Sequence, residues 1–393
     1  MRLKMKKALL VTTVSGFVPQ FEMNNVRLLQ RMGYEIHYAS NYLTPSYGKD
    51  NSRLDGTGIV RHQIDFVRSP YSLKNWKAYK QLKILMEKEH FQLVHCHTPM
   101  GGVMARLAAH ATGTVPVFYT AHGFHFYKGA PLINWLFYYP VEKWLSRYTD
   151  QLMCINKEDY KRASKFHARY VDYIPGVGID LKKIRYVSES DIDKKKAELG
   201  IPTDKKIVLS AGELIKRKNH ESVIRAIARI QDESLLYVVC GQGELARHLA
   251  DVVKKMMLED RVLFTGYRSD IFEIYQIADL YIFPSFQEGL PMALLEAMAN
   301  RLPVICSDIR GSRDLMDEDT PDDVKTRWRI CDGGIIVDKA DDIEAYAEAI
   351  EYFLKDPEEL KACGKRNALK AEKFSRECVE SRMKNIYKRS NTD

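Results

Sequence analysis

Short, solidly apolar runs alternate with longer segments of helical period along most of this 393-residue chain. In the first half, Lys7–Val14, Tyr34–Ala39, Val60–Val67, Gln92–His95, Val115–Thr120, Gln151–Ile155 and Val171–Ile174 read as strands. Phe17–Met32, Leu73–His90 and Gly101–Ala111 place apolar residues at helical spacing, and a charged helix follows Ile155. Strands that are apolar on both faces predict a parallel sheet covered by helices on either side, an α/β fold. The pattern breaks at Pro175-Gly-Val-Gly178-Ile-Asp180 and at the charged, helix-forming Ser188–Gly200. It restarts with Lys206–Ser210, Leu235–Cys240, Val262–Phe264, Leu280–Phe283, Pro303–Cys306 and Gly334–Val337 as strands. From Asp341 onward the periodicity is helical, with breaks at Pro357 and Gly364. Two successive Rossmann-like domains are therefore expected, 1–185 and 186–365, with a last helix, 366–393, packing back toward the first. Open α/β sheets bind ligands at the carboxyl ends of their strands. Two facing domains would form a deep cleft there.

Composition narrows the partners. Sixty Lys and Arg against 52 Asp and Glu give a net charge of +8. No nucleic-acid-reading motif accompanies that excess, so no nucleic-acid partner is expected. A mild basic surplus suits anionic small substrates or an anionic membrane surface, and equally an ordinary soluble protein. The seven cysteines stand singly with no C-x-x-C pair, which gives zinc or thioredoxin-type chemistry no support and suits a reducing, cytoplasmic compartment. The basic start and apolar Ala8 to Val14 read as a first buried strand rather than a signal peptide, and no membrane-spanning run occurs.

Candidate chemistry gathers at predicted strand ends. Ser285-Phe-Gln-Glu288-Gly289-Leu290-Pro291-Met292 leads from an apolar strand into a helix that contains Glu296. Unpaired N–H groups and the positive end of the helix dipole would face an anion there, flanked by two carboxylates. A nucleotide diphosphate sugar suits that place, although two acids at a helix start are also common surface residues. Gly16 directly follows the first strand, where it lets a backbone N–H approach a phosphate or simply makes the turn. His97 and His122 fall just past strand ends, while His95 belongs in the core. His122 is the choice for contact with a reacting sugar. The three histidines have no carboxylate or cysteine at ligand spacing, so no metal site is expected. Leu209-Ser-Ala-Gly212-Glu213-Leu-Ile-Lys216-Arg217-Lys218 puts three cations before a helix, against its dipole, a conflict that a bound diphosphate relieves. Gly241-Gln-Gly243-Glu-Leu-Ala246 matches a dinucleotide fingerprint, with Glu259 or Asp260 as the ribose acid, but at the second strand of its domain instead of the first. Asp191-Ile-Asp193 reads as solvated rather than metal-binding. The aromatic Gly129–Trp144 suits a membrane interface or buried helix packing.

Taken together, Glu288-x7-Glu296, the Gly212 to Lys218 loop, Gly16 and His122-Gly123 resemble the retaining glycosyltransferases of family 4, which have the two-domain GT-B fold. Tyr119-Thr-Ala-His-Gly-Phe-His-Phe-Tyr-Lys-Gly-Ala-Pro131 is similar to the branch that builds bacterial capsular and extracellular polysaccharides. The resemblance implies that Glu296 binds the nucleotide ribose and Glu288 the donor-sugar hydroxyls, with amides from Gly289 through Leu290 to Met292 on sugar or phosphates. Lys218 would neutralise the diphosphate and Gly16 approach it from the other domain. Tyr267 and Arg268 would flank the base, and His122 would line the reaction centre. One departure stands out: Glu213 occupies a position where many relatives carry arginine, so Arg217 is the substitute cation. The catalytic set is then His122, Glu288 and Lys218, with no cofactor and neither glutamate acting as nucleophile. The expected activity is retaining, metal-independent transfer from a nucleotide diphosphate sugar, a UDP-sugar by preference, to a polyprenyl-diphosphate-linked saccharide, with peripheral contact at the inner membrane face. The rival readings are a nucleotide-sugar epimerase or phosphorylase, an NAD-dependent oxidoreductase and a non-catalytic sensor.

Overall fold

The computed structural model describes residues 5–48, 50–316 and 326–389. The ends of the basic start and of the 366–393 segment lie outside them. Fourteen strands are described: β1 Lys6–Val14, β2 Tyr34–Asn41, β3 Val60–Gln63, β4 Leu93–His97, β5 Val117–Ala121, β6 Gln151–Cys154 and β7 Tyr170–Tyr173, then β8 Lys206–Ala211, β9 Leu235–Cys240, β10 Val262–Gly266, β11 Leu280–Phe283, β12 Val304–Ser307, β13 Trp328–Cys331 and β14 Gly334–Val337.

They form two seven-stranded sheets, ordered β3-β2-β1-β4-β5-β6-β7 and β10-β9-β8-β11-β12-β14-β13. Every pairing in the first sheet is parallel. In the second, only β13 on β14 is antiparallel. The parallel strands are apolar because helices cover both faces, so Leu9, Val94, Phe118, Val208, Val238 and Ile282 are all fully buried. Each such side chain contributes about 1.5–3 kcal/mol by leaving water. β13 is missing from the expected strands because it lies at the sheet edge and only Cys331 of its residues is buried.

The chain divides into two compact units, Met1–Gly178 with Arg376–Asp393, and Ile179–Ser375. These divisions lie at 178/179 and 375/376 rather than at 185/186 and 365/366. The Ile179 N–H already donates to Phe374 O at 2.9 Å, which ties the linker to the second unit. The helix Pro357–Glu372 belongs there too, because Asn367 donates to the carbonyls of Leu302 and Gly333. The following helix, Arg376–Arg389, packs within the first unit, where the Tyr387 hydroxyl meets His95 Nδ1 at 2.8 Å.

In both sheets the strand order reverses direction beside the central strand, at β1/β4 and at β8/β11. In open α/β sheets, ligands bind in the crevice outside the carboxyl ends of the strands at such a switch point.

Candidate active site

In the second unit the crevice at β8/β11 brings together the two loops singled out in the sequence. After β8 the chain passes Gly212, makes a 3₁₀ turn at Lys216–Lys218 and enters the helix His220–Ile227. A Cβ on Gly212 would sit 3.4 Å from Lys218 Cε, so the bare glycine leaves a track for the lysine side chain. After β11 the chain runs through Ser285 to Pro291 into the helix Met292–Ala299. Lys218 Nζ lies 2.7 Å from Glu288 Oε1, and Arg217 pairs with that same oxygen. Arg217 also donates to Gln287 O at 3.0 Å, while its own carbonyl accepts from Phe286 N–H at 2.9 Å. Glu288 thus supplies part of the neutralising charge that the three clustered cations called for. Two cations share one carboxylate, so positive charge stays in excess.

The helix that follows starts at Met292, with Pro291 as its N-cap rather than inside the first turn, and no side chain caps it. Its first N–H groups and the positive end of its dipole face the same loop. Gly289 and Leu290 form the approach, with Leu290 buried. Glu296 sits one turn further along the helix. Burial pushes its carboxyl up to about 7, against the opposing pull of the Tyr275 hydroxyl at 3.3 Å and of Lys183.

Three residues here escaped the sequence reading. Arg310 Nε donates to Glu288 O at 3.1 Å, and the buried Arg310 opens the seven-residue helix Arg310–Met316. A Cβ on Gly311 would fall 2.4 Å from Gly289 O, so only glycine lets that helix approach the loop. Tyr275 holds Glu296. The helix is too short to stand out by periodicity, and Arg310 and Gly311 form no motif.

Of the two residues assigned to the base, only Arg268 is already engaged. Arg268 is held by Asp270 and by Glu198 at 2.8 Å, so its guanidinium is already paired with carboxylates at the end of β10. Its neighbour Tyr267 projects into solvent, 73% exposed. The Gly241-x-Gly243 fingerprint also has a packing cause. A Cβ on Gly241 would lie 1.8 Å from Gly212 O, and one on Gly243 would lie 2.4 Å from Leu214 O. These glycines seat the Gly212–Ile215 loop against the end of β9, through Leu214 N–H to Gln242 O and Leu245 N–H to Leu214 O, both 2.9 Å. Their packing role serves the cation loop and accounts for both glycines without a dinucleotide. Asp191 and Asp193 sit exposed in the first turns of the helix Glu189–Glu198, where the Ser188 side chain caps Asp191 N–H.

In the first unit, the Gly16 N–H donates to Pro45 O at 2.7 Å, and a Cβ there would overlap Ser46 O. Gly16 therefore admits the 45–46 segment, and the expectation that its amide is open to a phosphate is corrected. His95 is a core residue, with both ring nitrogens 2.8 Å from the hydroxyls of Tyr387 and Thr120. His97 was expected beyond its strand but is the last residue of β4 and fully buried. His122 follows β5, with its side chain one-fifth exposed and its Nε2 3.1 Å from His97 Nδ1. Burial lowers His122 to about 4 and holds His97 well below the usual histidine range, so both rings are neutral at pH 7.

Residues 6–156 match the family described as Glycosyl transferase 4-like, and residues 191–370 the one described as Glycosyl transferases group 1. EpsD of Bacillus subtilis (strain 168), named as a glycosyltransferase, is 36% identical over 389 residues, which spans 97% of this chain and 96% of the relative. The chain belongs to this glycosyltransferase family. A second relative is the Escherichia coli UDP-Gal:alpha-D-GlcNAc-diphosphoundecaprenol alpha-1,3-galactosyltransferase, 29% identical over 80% of this chain and 82% of the relative. Among solved structures, Anabaena HepE in complex with UDP superposes with a TM-score of 0.76, covering 98% of this chain and all of that one at 17% identity. That likeness shows the fold, two Rossmann-like domains of the GT-B class.

Both loops follow switch-point strands: the one after β8 supplies two cations, and the one after β11 supplies the carboxylate they share.

Proposed function

We propose that this glycosyltransferase moves a sugar from a nucleotide diphosphate sugar, a UDP-sugar by preference, to a hydroxyl of a polyprenyl-diphosphate-linked saccharide, with retention of anomeric configuration and no catalytic metal. The observation that carries this reading is the meeting of Lys218, Arg217 and Glu288 at the β8/β11 crevice, beside the uncapped helix at Met292. On donor binding, Lys218 and Arg217 would turn from Glu288 to the diphosphate, freeing the carboxylate for sugar hydroxyls. The N–H groups of Gly289, Leu290 and Met292 would donate to phosphate or sugar oxygens, and Glu296 would take the ribose hydroxyls. As the C1–O bond to the β-phosphate breaks, charge grows on that phosphate, where fixed cations and a helix N-terminus stabilise it best. The acceptor oxygen bonds C1 on the same face, and its proton passes to the departing phosphate oxygen. His122 would line the reaction centre. UDP is named in the structural relative, and an undecaprenyl-diphosphate-linked sugar in the Escherichia coli relative; both support the donor and acceptor classes.

Lys218→Ala is expected to lower kcat about 10²–10³-fold, with a much smaller change in KM. The assay is a screen of nucleotide sugars against lipid-linked acceptors in EDTA, with product read by mass spectrometry. Near-normal transfer by Lys218→Ala would sink the phosphate-loop assignment, and loss of all wild-type activity in EDTA would sink the metal-free one.

An acceptor with a lipid tail brings the enzyme to a membrane. No helix among the described residues is long and apolar enough to cross one. The helix Leu132–Leu145 instead leaves Leu132, Leu136, Phe137, Val141 and Trp144 exposed at helical spacing, with Lys143 alongside. Such a face suits an interfacial position on an anionic leaflet. Leu136→Glu with Phe137→Glu should reduce co-sedimentation with anionic vesicles at least about tenfold while leaving the melting temperature in place, since both side chains face solvent. Unchanged sedimentation would remove this helix from the account.

A further inference from the structure

Next to the histidine proposed for the reaction centre, three ligand-type atoms converge on one point of the first unit. His97 Nδ1 and His122 Nε2 are 3.1 Å apart, and Glu22 Oε1 is 3.6 Å from each. A triangle with sides of 3.1, 3.6 and 3.6 Å has a circumradius of about 2.0 Å, which is the length of a zinc–imidazole or zinc–carboxylate bond. The two rings stand at hydrogen-bond distance from each other, but at 3.6 Å Glu22 hydrogen-bonds neither, so that bond does not account for the carboxylate's position.

The surroundings fit an ion. Glu22 ends a π-helical turn, Val18–Glu22, that carries its carboxylate inward until the side chain is 2% exposed. Its other oxygen accepts from Asn25 Nδ2 at 2.7 Å, which fixes the direction of Oε1. Phe17 packs edge-on against His122, with ring centroids 4.9 Å apart, and also touches His97. His97 Nε2 is buried without a hydrogen-bond partner, so hydrogen bonding through that nitrogen does not account for the ring's placement. His122 keeps one-fifth of its side chain exposed, so that ring is not sealed from solvent. Two imidazoles and a carboxylate, with no thiolate, form a borderline donor set suited to zinc-class ions rather than to magnesium or calcium.

We infer that Glu22, His97 and His122 bind one divalent transition-metal ion of the zinc class, and that the bound ion inhibits transfer by engaging His122 Nε2. The inhibitory clause rests on the reaction-centre role proposed for His122; the binding does not.

The test uses tag-free full-length protein carrying Cys378→Ser, which removes the exposed thiol. Zn²⁺ is titrated against a chromophoric chelator, and Co²⁺ binding is followed by visible absorption. The expected result is one equivalent of zinc, a rise in melting temperature, and a four-coordinate cobalt spectrum without a thiolate charge-transfer band. Glu22→Gln and His122→Gln, each verified as folded by circular dichroism, should weaken zinc binding by at least about 10–100-fold. His62→Gln, in the separate His37–His62 pair, should leave it unchanged. Failure of the wild type to bind an equivalent, or equal affinity in the folded Glu22 and His122 variants, overturns the site. Tight binding with undiminished transfer overturns the inhibitory clause and the role of His122, while the site stands.

Discussion

Glu22 carries an ionisable carboxyl into the first unit where water scarcely reaches, and burial pushes it up to about 7 against the opposing Asn25 hydrogen bond. The folded state therefore holds its proton more tightly than the unfolded chain does. That contribution to stability is complete below the usual glutamate value, near 4.5, and is lost as pH rises through about 7. In metal-free protein, Glu22→Gln should match the wild type near pH 4 and exceed it by about 1–3 kcal/mol at pH 8, read from urea midpoints. A pH-independent difference would show that Glu22 does not titrate with this shift. The buried His97 and His122 have the opposite sign: their lowered values make stability fall as pH drops below about 6.5. The meeting of the loops that carry Lys218 and Glu288 was legible because charge and spacing mark both against apolar strands. Glu22 was not, since only the fold carries it beside His97 and His122 from a distant segment.

At the level of elements, the loop after β8 depends on a bare backbone opposite it. Gly241→Ala would drive a Cβ to within 1.8 Å of Gly212 O, a contact that only backbone movement can relieve. We expect a loss of about 3 kcal/mol or more in urea unfolding, and weakened donor binding because the loop carrying Lys218 shifts. Gly33→Ala meets no atom within 4 Å but must adopt a φ of +87°, so it should cost only about 1 kcal/mol and spare donor binding. Equal effects from the two substitutions would contradict the close-approach account. The central strands were legible because burial on both faces makes them uniformly apolar. The edge strand β13 and the seven-residue helix at Arg310 were not, because each is too short or too exposed to impose a period. Gly241-x-Gly243 matched a rival fingerprint for a physical reason: close approach of backbone to backbone and of backbone to phosphate require the same residue.

In the whole molecule, one topological device occurs twice, each time with a central parallel strand flanked by a reversal of strand order. The alternation of strand and helix made both sheets legible. The division of the chain was less so, because Ile179 and the helix Pro357–Glu372 are fixed by hydrogen bonds that no local pattern announces. The central claim is that the second unit's crevice holds a nucleotide diphosphate through Lys218. Equilibrium titration of UDP into the wild type and Lys218→Ala, with NADH as competitor, tests it most directly. The account predicts saturable UDP binding by the wild type, affinity at least about tenfold weaker in the variant through loss of a charge-assisted contact, and no displacement by NADH. Equal UDP affinity in the two proteins, or displacement by NADH, would contradict it.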